Sequence, residues 1–98
     1  LHLAAIYVNN FTNYLQYIGE SLLTEQGLSA EILHPLLLET VAKLKKLSPK
    51  DAQTGPAIRG DESTINRHLS QLEAHPNWQE IYRLLSEGIQ KELRGRVK

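Results

Sequence analysis

LHLAAIYVNNFTNYLQYIGESLLTEQG, residues 1–27, carries the strongest periodic signal in the chain, and its reading decides the fold class. Ala4, Val8, Phe11, Leu15, Ile18 and Leu22 recur at spacings of four and three, which lines them along one face of a helix. Leu3, Tyr7 and Tyr14 flank that stripe and widen it to nearly half the circumference. Gly27 is free to take a left-handed conformation, so the helix is expected to run to about Gln26 and stop there. At ~1.5 Å per residue this makes a rod of roughly 37 Å, longer than a compact domain of this size is wide. A rod of that length with so broad an apolar face calls for partners beyond its own chain.

Working outward, Ser29 caps a second helix, with Glu31 placed to meet its positive end. Ile32, Leu33, Leu36, Leu37, Val41, Leu44 and Leu47 form its apolar face, and Ser48-Pro49 ends it. Pro35, about two turns from the cap, is expected to bend this helix or delay its regular start. Residues 49–60 make a long connection holding one short turn at 49–53. Asp61 caps a third helix carrying Ile65, Leu69 and Leu72, and His75-Pro76 breaks it. A fourth helix from about Asn77 presents Trp78, Ile81, Leu85 and Ile89, followed by a charged, frayed tail, ELRGRVK. There is no strand-length alternation and no internal repeat. The expected fold is all-α: a long first helix packed with three others in a single helical domain, residues 1–98.

Composition narrows the function classes. Ninety-eight residues suffice for one domain with a core of its own. Without cysteine there are no disulfides, thiolate nucleophiles or thiolate metal sites, which fits a reducing cytoplasm. Eleven basic side chains balance eleven acidic ones, so the chain has no electrostatic footprint for nucleic acid or an anionic membrane. No apolar run reaches the roughly 18 residues of a membrane span. The sequence lacks methionine and opens in full helical rhythm with no cap before it, which points to a piece of a longer protein cut at the start of a helix.

Two constellations carry chemistry. His2, Asn9, Asn13, Gln16 and Glu20 share a narrow band opposite the apolar stripe, with Asn10 on its shoulder. Asn is a poor helix former, so three asparagines within residues 9–13 need a reason. Two readings stay open: a solvated face, or a face whose neutral amides and imidazole meet a ligand. The second constellation is TGPAIRGD, residues 54–61. Gly55 and Gly60 permit positive φ, Pro56 stiffens the loop and Asp61 caps the next helix, so a rigid connector explains Pro56, Gly60 and Asp61. Thr54 and Arg59 are left over, and a hydroxyl and a guanidinium on a stiff loop suit an anionic ligand. The spacing does not fit a phosphate-cradling P-loop. The RGD tripeptide reads as coincidence. His2, His34, His68 and His75 lack metal-site spacing, so no metal is expected. His34 and His75 precede prolines and suit helix boundaries, and His68 suits a surface position.

HLAAIYVNNFTNYL at residues 2–15 and AQTGPAIRGDESTINRHL at residues 52–69 together resemble the C-terminal helical domain of bacterial Rossmann-type NAD(P)-dependent oxidoreductases. That domain is similar to the C-terminal domain of 6-phosphogluconate dehydrogenase, and relatives include pyrroline-5-carboxylate reductase and ketopantoate reductase. The resemblance covers essentially the whole chain. It implies an N-terminal Rossmann domain holding NADP or NAD, a homodimer, and a small-molecule substrate in the cleft between domains. His2 would then be the catalytic proton donor or acceptor, and Asn9, Asn10 and Asn13 would orient the substrate. Thr54, Gly55 and Arg59 would line the substrate cleft from the loop. In ketopantoate reductase the similar helix opens with a catalytic lysine where this chain has His2, and an asparagine four residues later is here Ile6. Substrate identity therefore does not carry over. The fragment alone would bind no cofactor and turn nothing over, because the hydride source sits on the other domain. The competing expectation is a non-catalytic helical dimerisation module with a wet polar face.

Overall fold

The computed structural model describes residues 1–94, and the part of the expected frayed tail at residues 95–98 lies outside them. Every described element is helical, so the class is all-α as expected. The chain divides into two compact units, Leu1–Lys45 and Lys46–Lys98.

In the first unit, α1 (His2–Ala5), a π-helical turn π1 (Ile6–Asn10) and α2 (Phe11–Glu25) follow one another without a break. Ala5, Ile6, Asn10 and Phe11 all hold right-handed helical angles at the junctions. The Phe11 N–H reaches back five residues to the Ile6 carbonyl, which is the π signature. A π-turn accommodates about one extra residue, so the faces before and after it are offset by roughly a quarter turn. This corrects the straight apolar stripe: Ala4 and Phe11 do not fall in line as uninterrupted α spacing predicts. It equally offsets His2 from the band of Asn13, Gln16 and Glu20.

Helix α2 ends where Gly27 was expected to stop it, with φ of 75°. Leu28 N–H bonds the Leu23 carbonyl at 2.9 Å and Gly27 N–H bonds Thr24 at 3.0 Å, the paired bonds of a left-handed cap. Ser29 Oγ accepts from Glu31 N–H and opens a 3₁₀ turn (Ala30–Ile32) that leads into α3 (Leu33–Lys43). Pro35 therefore sits in the first turn of α3, where its missing N–H costs nothing, and it delays the helix rather than bending it. The helix closes at Lys43, short of the expected Leu47. Gly19 lets α2 and the start of α3 meet: a Cβ there would lie 3.1 Å from Leu33 Cδ1.

In the second unit, the Ser48 hydroxyl caps α4 (Pro49–Ala52) by accepting from Asp51 N–H. A further single turn, α5 (Pro56–Arg59), occupies what sequence left as open connection. Asp61 caps α6 (Glu62–Gln71), and His75-Pro76 opens α7 (Pro76–Ile89), which passes into a second π-turn, π2 (Gln90–Arg94). Ala57, Ile65 and Leu72 are the buried side chains among the described residues, so the core lies where α5 and α6 turn inward. Gln79 Nε2 donates to the Leu69 carbonyl at 2.7 Å and ties α7 to α6.

Candidate functional site

The residues singled out by sequence fall on both units. His2, Asn9, Asn10 and Asn13 belong to the first, and Thr54, Gly55 and Arg59 to the second. Within the first unit Asn9 and Asn10 close the π-turn, and Asn13 follows one helical turn later. All three amides and the His2 imidazole are exposed. The low helix propensity of asparagine, unexplained by a plain α-helix, has a structural counterpart here. The wide turn interrupts the regular carbonyl ladder at the two asparagines. Such turns concentrate at functional sites because they free backbone groups and re-aim side chains. Together these groups offer neutral donors and acceptors, plus one ring able to give or take a proton.

Gln16 and Glu20, expected on the same wet face, are half-buried and engaged. The Gln16 amide donates to Glu20 at 2.9 Å, and His34 Nε2 lies 3.4 Å from the same carboxylate oxygen. The Gln16 hydrogen bond, aided by His34, holds the Glu20 carboxyl below the usual carboxylate range against the opposing effect of desolvation. His34 is thus a cross-helix partner and not only a helix-boundary residue. Beside this triad, Leu15, Gly19, Leu33, Leu36, Leu37 and Thr40 line a shallow apolar groove with a volume of about 160 Å³.

In the second unit the loop is tightly determined. Gly55 has φ of 107° and Gly60 φ of 70°, both in the region that glycine favours. Asp61 accepts from Thr64 N–H at 3.2 Å and from the Thr64 hydroxyl at 2.7 Å. Those two Thr64 bonds, with Arg59 adding, hold the Asp61 carboxyl below its ordinary value. Arg59 Nη2 lies 3.5 Å from Asp61 Oδ2, so the arginine and aspartate of RGD turn toward each other rather than apart. The Arg59 side chain stays more than half exposed, which leaves its remaining donors open to an anion. Thr54 is exposed, and its carbonyl accepts from Gln53 Nε2 at 3.0 Å.

Two features escaped the sequence. His68 is not a plain surface residue: its Nδ1 lies 2.8 Å from the Tyr82 hydroxyl, the rings meet edge to face, and burial pushes the Tyr82 phenol up. Arg94 reaches the loop carbonyls from π2. Both contacts join residues far apart in sequence, and no local pattern announces them. Among the described residues no group of histidines and carboxylates gathers as a metal ion would require, and no helix is long and apolar enough to cross a membrane.

The family model described as a domain of unknown function, DUF2520, matches residues 1–89. Among solved structures the chain is similar to a crystal structure from Bacteroides fragilis described as "putative NADP oxidoreductase BF3122". The two are 44% identical with a TM-score of 0.90 over 93% of this chain, and the match spans 35% of the other protein's length. No curated protein matches the chain.

Proposed function

We propose that the chain, which belongs to the DUF2520 family, is the helical substrate and dimerisation domain of a cytoplasmic NAD(P)-dependent oxidoreductase. The observation that carries this is the 44% identity to a protein described as a "putative NADP oxidoreductase", most of whose length lies outside the match. That remaining length leaves room for a Rossmann domain to hold the cofactor, NADP in preference to NAD. Hydride would pass between nicotinamide and a small carbonyl, imine or hydroxy compound. His2 would exchange the proton, and Asn9, Asn10 and Asn13 would orient the substrate through neutral hydrogen bonds. Thr54, Gly55 and Arg59 would receive its anionic group, with Arg59 contributing the charge.

The test is nicotinamide absorbance in the full-length protein, with NADPH and a panel of small ketones, imines and 2-hydroxy acids. Once turnover is found, Asn10→Ala and His2→Ala are each expected to lower kcat/KM by about 10- to 100-fold. Wild-type turnover in both variants would remove these residues from the mechanism. The second reading, a non-catalytic dimerisation module, is supported equally well by the exposed apolar side chains of the first unit, Val8 and Leu38 among them. It predicts a dimer that binds neither NADPH nor NADH at any concentration tested.

A further inference from the structure

The last turn of a helix leaves carbonyls that the helix itself cannot satisfy, and each must find a donor. Helix α5 is a single turn, too short to hold itself, so its end is where its conformation is decided. Gly60 N–H bonds the Ala57 carbonyl at 3.2 Å and Asp61 N–H bonds the Pro56 carbonyl at 2.9 Å. Those two bonds form the left-handed glycine cap and account for the first two carbonyls. The carbonyls of Ile58 and Arg59 remain. Arg94 meets both: Nε donates to Ile58 O at 2.9 Å and Nη2 to Arg59 O at 3.4 Å.

The approach depends on Gly60 in a second way. A Cβ at that position would stand 2.5 Å from Arg94 Nη2 and 2.6 Å from Cζ, so the guanidinium occupies the space a side chain would fill. Gly60 thus serves its own left-handed φ and the seat of Arg94 at once. The positive guanidinium also lies at the negative end of the turn. Four residues before Arg94, Gln90 Nε2 donates to Glu62 Oε2 at 3.3 Å, so both ends of π2 grip the segment that surrounds Gly60.

We infer that Arg94 is a positioning residue for the 54–61 loop: it fixes the turn from which Thr54 and Arg59 are presented to a ligand. It acts through backbone carbonyls and touches no reacting atom. The functional half of this inference rests on the oxidoreductase reading; the conformational half does not.

The experiment is amide hydrogen exchange on the full-length protein as wild type, Arg94→Ala and Arg94→Lys, followed by kinetics with NADPH. In Arg94→Ala the Gly60 and Asp61 amides are expected to exchange about tenfold faster, with α6 and α7 unchanged. Arg94→Lys keeps the charge but loses the two-pronged donor geometry, and is expected to recover less than half of the protection. With turnover in hand, Arg94→Ala should raise KM about tenfold and leave kcat within about twofold, because the loop binds and does not react. Unchanged exchange at Gly60 and Asp61 would overturn the inference. So would faster exchange spread evenly over α6 and α7, which marks a general stabiliser. Faster local exchange with an unmoved KM would overturn the positioning role. Loss of protection in a protein that turns over no substrate would support the clamp and count against the oxidoreductase reading alone.

Discussion

Asp61 concentrates four interactions on one carboxylate: the Thr64 amide, the Thr64 hydroxyl, the Ser63 hydroxyl and the Arg59 guanidinium. Asp61→Ala removes the cap of α6, and the thermal midpoint is expected to fall by roughly 4 °C at neutral pH. The sign with pH follows from the lowered carboxyl pKa. A carboxyl held below its unfolded value stabilises fully above that value and loses its contribution as pH falls through the folded one. The midpoint gap between wild type and Asp61→Ala should therefore close as pH drops below about 4. A gap that stays constant from neutral pH to about 3 would show that the charge plays no part. The cap was legible in the sequence because its signal is local: a short polar side chain directly before a periodic run. The His68–Tyr82 contact was not, because its two residues lie fourteen apart and only packing of α6 on α7 joins them.

At the scale of elements, the first helix shows what periodicity reads and what it misses. Its span and its glycine stop follow from spacing and from Gly27, but the π-turn leaves no trace in a 3.6-residue pattern. The one sign was the run of asparagines in a position where alanine or glutamate would be more stable. That sign now has a testable consequence. Asn9→Ala with Asn10→Ala should raise the stability of the full-length protein by about 1 kcal/mol through helix propensity while depressing NADPH turnover. A variant equally active and less stable would mean that the asparagines hold the turn for structural reasons alone, and one equally active and more stable would mean that they only face solvent. Helix α5 was missed for a different reason. Pro56 at its first position and Gly60 just past its end are the expected punctuation, yet four residues are too few for any periodicity to register.

On the scale of the whole molecule, apolar side chains and burial are unevenly matched. The buried side chains among the described residues, Ala57, Ile65 and Leu72, all belong to the second unit. The first unit keeps Val8 74% exposed and Leu38 71% exposed, with Phe11, Ile32, Leu36 and Val41 also open. Exposed apolar side chains in this number suit the interaction face proposed above, whose occupant is a second copy of the chain. Val8→Asp is expected to convert a dimeric full-length protein to a monomer in light scattering, and an unchanged mass would exclude the first helix from the interface. A first unit without a buried side chain also bears on how the protein survives dilution. If its apolar side chains are covered only on association, folding and assembly become a single equilibrium. Each tenfold dilution would then cost about 1.4 kcal/mol of apparent stability, and the melting temperature would report protein concentration as much as sequence.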